Sequence, residues 1–385
     1  MDKNMRIKNG LVLKGQSNRF ESADICISEG RISSFGAVGE PAGQEDFDAE
    51  GLYVIPGFID THNHGCVGVE FAAEDEDFEK ARVWLAGQGI TGVAPTVRAM
   101  PVEPIIGAEK NILREAGKTS KGARILGIHL EGPFVSYSRT GAMCPPERVC
   151  EPEALRRMAE GAQGMLKIMT LAPERENAAE VIKAAGELGV KISLGHSDAS
   201  YGTAKAAIEA GASRATHTFN AMRPLYHRET GILGAVLTDD RVCCEMICDF
   251  VHLDEAAMDI VYRMKGAENI TIISDSGYMT GLGDGEFKVG DYEQVRIVKD
   301  GVCRTEGGCI AGSCVSMLAG ARNLLRMGVP LWEVSLMGSL NPAKALGVDH
   351  WLGSLEEGKA ADMIVCDKEL NIKAVFVDGR RFAIL

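Results

Sequence analysis

Nowhere in the 385 residues is there an apolar run of roughly 18, the length that a membrane-spanning helix requires. No block of Lys and Arg offsets the formal charge of -13, so neither nucleic acid nor an anionic membrane surface is expected as a general partner. An anionic substrate would have to be met locally. The sequence also lacks any Cys-x-x-Cys, and its 11 cysteines, an odd number, are scattered through apolar stretches such as Cys243-Cys244 and Cys248. Reduced, mostly buried thiols are the simplest account. There is no long internal repeat and no low-complexity linker. The stretch Met1-Asp2-Lys3-Asn4-Met5-Arg6 leads into a strand-like pattern rather than a signal peptide. These absences predict a soluble cytoplasmic protein.

With 45% hydrophobic residues, the chain is long enough for one large barrel and a small domain. From Leu52 to Asp275, eight β-like runs alternate with helical stretches: Leu52 to Asp60, Gly92 to Val97, Arg124 to Glu131, Leu166 to Leu171, Val190 to Leu194, Arg214 to Thr218, Val242 to Cys248 and Ile270 to Ser274. The intervening segments, among them Asp77 to Gln88, Pro104 to Ala116, Ala178 to Leu188, Gly202 to Ala210 and Asp254 to Lys265, have helical period. Eight alternations predict a closed parallel (β/α)8 TIM barrel, with a doubly wound open sheet as the rival. The two ends differ, with short strands punctuated by Gly10, Gly15 and Gly30 at one and by Gly358 and Gly379 at the other. Neither could build a core alone. The expectation is a small β-sandwich from residues 1–51 and 350–385 beside a barrel of residues 52–349.

The polar residues that end these strands form a set. His62 and His64 follow the first run on the same side of the chain, because side chains in a strand alternate with period two. Glu131 ends the third, His196 follows the fifth, His217 lies in the sixth and Asp275 ends the eighth. A parallel barrel opens all strand C-termini on one face, so these distant residues are predicted to converge. Four histidines and two carboxylates suit one or two divalent ions, with Zn2+ first and Fe2+ or Mn2+ as alternatives. Cys66 shares the parity of His64 but is not counted among the ligands.

At this point the sequence resembles the amidohydrolase superfamily and, within it, the N-acetylglucosamine-6-phosphate deacetylases. The resemblance rests on Pro56-Gly57-Phe58-Ile59-Asp60-Thr61-His62-Asn63-His64-Gly65, His129-Leu130-Glu131-Gly132-Pro133-Phe134, Leu194-Gly195-His196-Ser197, Thr216-His217-Thr218-Phe219-Asn220-Ala221-Met222, Ser274-Asp275-Ser276 and Leu340-Asn341-Pro342-Ala343-Lys344. It implies a metal-bearing barrel with a β-sandwich built from both termini. Glu131, His196 and His217 match the shared metal site, His62 and His64 a pair that only some members retain, and Asp275 the catalytic acid/base. Asn220, Ala221, Arg228 and His252 match positions that hold a sugar phosphate. Ile310, Ala311 and Gly312 match a loop along the sugar. The implied partner is a small amino-sugar phosphate, and the implied assembly a homodimer.

Two positions depart from the pattern. Where the family usually places a histidine on the substrate's acyl oxygen, Ala142 is followed by Met143, whose thioether cannot donate a hydrogen bond. Either the second metal takes over the polarisation, or the acyl group or sugar differs. Phe250 stands where the family typically has glycine, so its ring either narrows the pocket or packs elsewhere. The loop Gly281-Leu282-Gly283-Asp284-Gly285 reads as a flexible turn rather than a phosphate cradle. The leading expectation is deacetylation of N-acetylglucosamine 6-phosphate or a close N-acetylhexosamine phosphate. An amidohydrolase for another N-acyl or cyclic amide, and a catalytically silent sugar-phosphate-binding protein, remain as alternatives.

Overall fold

The computed structural model describes residues 5–36, 46–143, 149–289 and 294–382. The apolar runs form eight parallel strands: β1 Phe58–Asn63, β2 Ile90–Arg98, β3 Ile128–Glu131, β4 Leu166–Leu171, β5 Lys191–Leu194, β6 Arg214–Ala215, β7 Cys243–Ile247 and β8 Ile270–Ile273. Each is hydrogen-bonded to the next. The ring closes beyond β8, where the Asp275 N–H donates to the His62 carbonyl at 2.9 Å and the His64 N–H donates to the Ser276 carbonyl at 2.8 Å. One helix follows each strand: α1 Glu79–Gly87, α2 Val102–Ala116, α3 Pro152–Gly161, α4 Ala178–Glu187, α5 Tyr201–Glu209, α6 Gly231–Thr238, α7 Glu255–Lys265 and α8 Met317–Arg326.

The sequence explains these elements locally. The strands are rich in Ile, Leu, Val and Met because both of their faces are covered. In α2, Ile105, Ala108 and Ile112 recur at helical spacing and are buried together. Side chains cap three helix starts, with Ser200, Asp254 and Ser316 accepting from the N–H groups of Thr203, Ala257 and Ala319.

The terminal segments meet in one eight-stranded sheet, running Arg380–Phe382, Ile372–Val377, Met363–Cys366, Tyr53–Pro56, Met5–Leu13, Phe20–Ser28 and Arg31–Gly36, with Phe47–Asp48 paired to Met5–Leu13. The sheet folds over a core of its own that includes Ile7, Ile25, Ile32, Val54, Val365 and Phe376. Its two ends touch where the turn at Gly30 meets the turn at Gly379.

The structure differs from the sequence reading in several places, and the run Arg124 to Glu131 is two strands, Arg124–Ile125 and Ile128–Glu131. The run Leu52 to Asp60 is not one strand: Tyr53–Pro56 joins the terminal sheet, and β1 begins after Gly57. A Cβ at Gly57 would lie 2.2 Å from Thr91 Oγ1, so glycine lets the chain pass between the two sheets. Strand β6 ends at Ala215, which puts His217 past the strand rather than within it. Finally, the turn at 281–284 leads into a three-stranded antiparallel sheet, Gly285–Val289, Gln294–Lys299 and Val302–Thr305, that the sequence reading did not anticipate.

None of the described cysteines is in a disulfide. No helix among the described residues is long and apolar enough to cross a membrane.

Candidate active site

The six strand-end residues meet at the C-terminal mouth of the barrel. Glu131 stands at the centre. Its Oε1 lies 2.9 Å from His196 Nε2 and 3.0 Å from His217 Nε2, and these two nitrogens are 2.9 Å apart. Its Oε2 faces His64 Nε2 at 3.2 Å, and His62 Nε2 is 3.5 Å from Oε1. Asp275 Oδ1 approaches His62 Nε2 at 3.5 Å and His64 Nε2 at 3.4 Å. Glu131 thus joins two groups of three, His62–His64–Glu131 and Glu131–His196–His217, whose donor atoms lie within 4.8 Å of one another in each group.

The backbone bends sharply to make this convergence. His196, His217 and Asp275 have φ of 46°, 27° and 49°, in the left-handed region that non-glycine residues seldom occupy. Each turns the chain out of its strand just where the side chain must face the mouth.

Hydrogen bonds on the far ring nitrogens set the histidine tautomers. His196 Nδ1 donates to the Arg139 carbonyl at 2.7 Å, so Nε2 is the nitrogen that faces Glu131 and His217. His62 Nδ1 donates in the same way to Glu245 Oε2 at 3.1 Å. Below them, His129 is held between Thr96 and Thr170 and stacks edge-on against His62 with ring centroids 4.6 Å apart. Burial, with His62 adding to it, pushes the His129 pKa down to about 3, so it is a neutral floor.

The charged groups hold one another in ionised form. Burial works against the charge of Glu131, yet His196 and His62 keep its carboxyl well below the usual range. Burial likewise opposes the charge of Asp275, and His62 with His64 overcomes it. For His64, the carboxylates of Asp275 and Glu131 outweigh burial and raise the pKa to about 9.

The donors fit a metal ion. Zinc at about 2.0–2.1 Å from its ligands in a tetrahedron has ligand–ligand edges of about 3.3 Å, close to the spacing around Glu131 Oε1. Among the described residues His62 Nε2 is buried with no hydrogen-bond partner, which is costly for a polar atom unless something else engages it. Cys66 takes no part, since it is buried with its Sγ directed to the Ala81 carbonyl at 3.9 Å.

A cavity of about 480 Å³ opens above the cluster. Of the residues singled out in the sequence, Asn220, Ala221 and His252 line it, as do Ala142 and Met143, and Ile310, Ala311 and Gly312. Asn220 and Ala221 belong to the turn that follows His217, and Ile310 to Gly312 follow the three-stranded sheet. His252 is held by its Nδ1 bond to Asp249 at 2.7 Å, and that carboxylate outweighs burial to raise its pKa.

Arg228 does not reach this cavity. It sits on an exposed turn closed by the Glu229 N–H to Tyr226 carbonyl bond, and its Nη1 donates to the Tyr226 hydroxyl at 2.6 Å. The turn folds on itself and so directs Arg228 outward. Phe250 also lies off the cavity wall, 39% exposed, with φ of 61°. That backbone conformation explains why a glycine suits the position, and the ring neither narrows the cavity nor packs into the core.

The sequence reading missed several residues of the mouth. Arg98 pairs in register with Glu131 and faces Glu70 across 3.6 Å. Glu245 is fully buried in β7 behind His62. The available signal was a lone acid in the apolar run Cys243-Cys244-Glu245-Met246-Ile247.

Residues 53–382 match the model of the Amidohydrolase family. The chain is 32% identical to an N-acetylglucosamine-6-phosphate deacetylase of Lysinibacillus sphaericus over 97% of each chain. It is 36% identical to an N-acetylgalactosamine-6-phosphate deacetylase of Escherichia coli O157:H7, over 92% of this chain and 93% of the relative. Among solved structures it superposes on an N-acetyl-D-glucosamine-6-phosphate deacetylase mutant from Mycobacterium smegmatis in complex with N-acetyl-D-glucosamine-6-phosphate. The TM-score is 0.90 and the identity 32%, over 99% of this chain and 100% of that one.

Proposed function

The chain belongs to the amidohydrolase family, and we propose that it hydrolyses the acetamide of N-acetylglucosamine 6-phosphate, or of a close N-acetylhexosamine 6-phosphate, to the amine and acetate. The observation that carries the reading is the placement of Asp275 against the two histidine–glutamate groups at the foot of a cavity large enough for a sugar phosphate.

We assign His62, His64, Glu131, His196, His217 and Asp275 to a centre for one or two divalent ions. Zinc is the first choice, and Fe2+ and Mn2+ suit the same donors. When bound, such an ion polarises the acyl oxygen and lowers the pKa of water toward about 7. The protein's own groups do the rest. Asp275 is held as an anion, so its carboxylate can accept a proton from the attacking water. The neutral acid then donates that proton to the amide nitrogen as the C–N bond breaks, because the amine cannot leave as an anion.

Asn220, Ala221 and His252 are assigned to the phosphate, Ile310, Ala311 and Gly312 to the sugar, and Ala142 and Met143 to the acyl end. We take the working assembly to be a cytoplasmic homodimer. Its exposed turn, with Leu225 49% and Tyr226 51% exposed, would then carry Arg228 to the phosphate of a second copy.

The test is acetate release by metal-loaded protein from a panel of N-acetylhexosamine 6-phosphates and their unphosphorylated forms. The expected result is release from a 6-phosphate, and loss of that release in Asp275→Asn with the metal content intact. Full activity in Asp275→Asn overturns the mechanism, and indifference to the phosphate overturns the substrate assignment.

A further inference from the structure

One fully buried carboxylate at the mouth has no part in the reaction described above. Glu245 Oε2 accepts from His62 Nδ1 at 3.1 Å and from the backbone N–H of His217 at 3.2 Å. Its Oε1 accepts from Arg214 Nη2 at 3.2 Å, and Arg214 is itself buried. A single side chain on β7 therefore touches a member of each ligand group.

The two contacts are unequal. To His217 the carboxylate binds only the backbone, and the imidazole of that residue is placed by Glu131 and His196. His196 has its own restraint in the Arg139 carbonyl. To His62, Glu245 binds the ring itself. An ionised carboxylate only accepts, so Glu245 keeps a proton on Nδ1 of His62, and Nε2, which faces Glu131 and Asp275, is the nitrogen left to a metal ion. Without such a restraint a neutral imidazole can place its proton on either nitrogen.

We propose that Glu245 is the positioning residue that makes His62 a metal ligand, and that it thereby sets occupancy of the His62–His64–Glu131 site separately from the Glu131–His196–His217 site. Arg214 is part of the device. Its guanidinium claims one oxygen of Glu245 and leaves the other for His62. The inference rests on the reading of the cluster as a metal centre.

The chemistry of an amide at this position gives a sharp test. In Glu245→Gln the guanidinium still requires an acceptor, so the amide oxygen turns to Arg214 and the NH2 group turns to His62. A donor then faces Nδ1, which drives the proton to Nε2 and removes the lone pair from the metal site. In the double variant Arg214→Met with Glu245→Gln, nothing competes for the amide oxygen. It can return to His62 and to the His217 N–H, and the ligand is restored.

The measurement is zinc stoichiometry by elemental analysis, together with zinc affinity of each site by chelator competition, on protein checked for a cooperative thermal transition. Wild type is expected to bind two ions per chain. Glu245→Gln is expected to weaken one of them by about 10- to 100-fold and leave the other unchanged, the usual effect of losing a group that orients a ligand. The double variant is expected to recover most of that loss.

Unchanged affinities in Glu245→Gln overturn the inference, as does equal weakening of both sites, which a general structural role would give. A double variant no better than the single one also overturns it. A wild-type chain that binds no zinc overturns the metal-centre reading and this inference with it, whereas two ions held with the same affinities in wild type and in Glu245→Gln overturn the inference alone.

Discussion

The barrel buries ionisable groups in two places and treats them in opposite ways. At the mouth, Glu131 meets imidazole nitrogens on both of its oxygens, and its carboxyl is held well below the usual range. On the outer ring, Glu109 of α2 is also buried completely, but neither of its oxygens has a hydrogen-bond partner among the described residues, and burial pushes its pKa up to about 8. Its neighbour across the helix contact is Gly161 of α3, where a Cβ would lie 2.7 Å from Glu109 Oε2. The same functional group is thus an anion in one interior and a neutral acid in the other. What differs is the neighbourhood: converging strand ends bring polar side chains together, whereas a helix–helix contact offers apolar ones.

The largest effects should come from breaking the mouth. Glu131→Gln keeps the shape and removes the charge that joins the two histidine groups. Metal content should fall at both sites and deacetylation by on the order of 10³-fold or more. Glu109→Gln, the same isosteric change, should leave metal content and turnover at wild-type levels when assayed beside it. If Glu131→Gln still holds two ions, the bridging role is wrong and the contrast between the two regions dissolves.

An intermediate effect is expected at Met143, a thioether on a cavity wall that also includes Met279 and Ile310. With both histidine groups retained, the metal centre can polarise the acyl oxygen without a side-chain donor. Met143→His should then change kcat by less than about tenfold. Losing one donor to a developing oxyanion commonly costs on the order of 10² to 10³ in rate. A gain of that size on adding histidine would show that the mouth had lacked a donor, and that the protected pair His62 and His64 does not replace it.

How far the sequence revealed this contrast depends on which residues define each region. The ligand set at the mouth was legible because period-two alternation places His62 and His64 on one side and a parallel barrel gathers all strand ends on one face. The split at Gly57 was not legible, since an apolar run looks the same whether it serves one sheet or two. His217 was read as a strand residue because the β-like pattern continues to Thr218, while its φ of 27° comes from packing that the pattern does not encode. Arg228 was placed at the substrate by resemblance alone, and its outward turn is a matter of local chain direction. Glu245 and Glu109 both sit in largely apolar contexts. Only tertiary contact tells them apart, since one has His62 and Arg214 as partners and the other has none among the described residues.

The smallest effect is the pH dependence that Glu109 adds to stability. In the unfolded chain its pKa is near the ordinary glutamate value of 4.5, and in the folded chain burial raises it to about 8. Between these values the folded state binds a proton that the unfolded state has released, so this group lowers stability as pH rises through the window. Below about pH 4.5 the acid is protonated in both states and the penalty vanishes. Above about pH 8 it is complete, on the order of 5 kcal/mol. Glu109→Gln substitutes a neutral amide that is equally short of partners, so it should match wild type at pH 5 and exceed it at pH 8.5. For a chain of this size the gain at pH 8.5 should be a few degrees in Tm. Thermal melts of the two proteins at each pH, compared as differences, cancel the titration of the mouth, which both share. A gain that is the same at pH 5 as at pH 8.5 would mean that Glu109 finds a partner for its charge and that the two regions are less different than their contacts indicate.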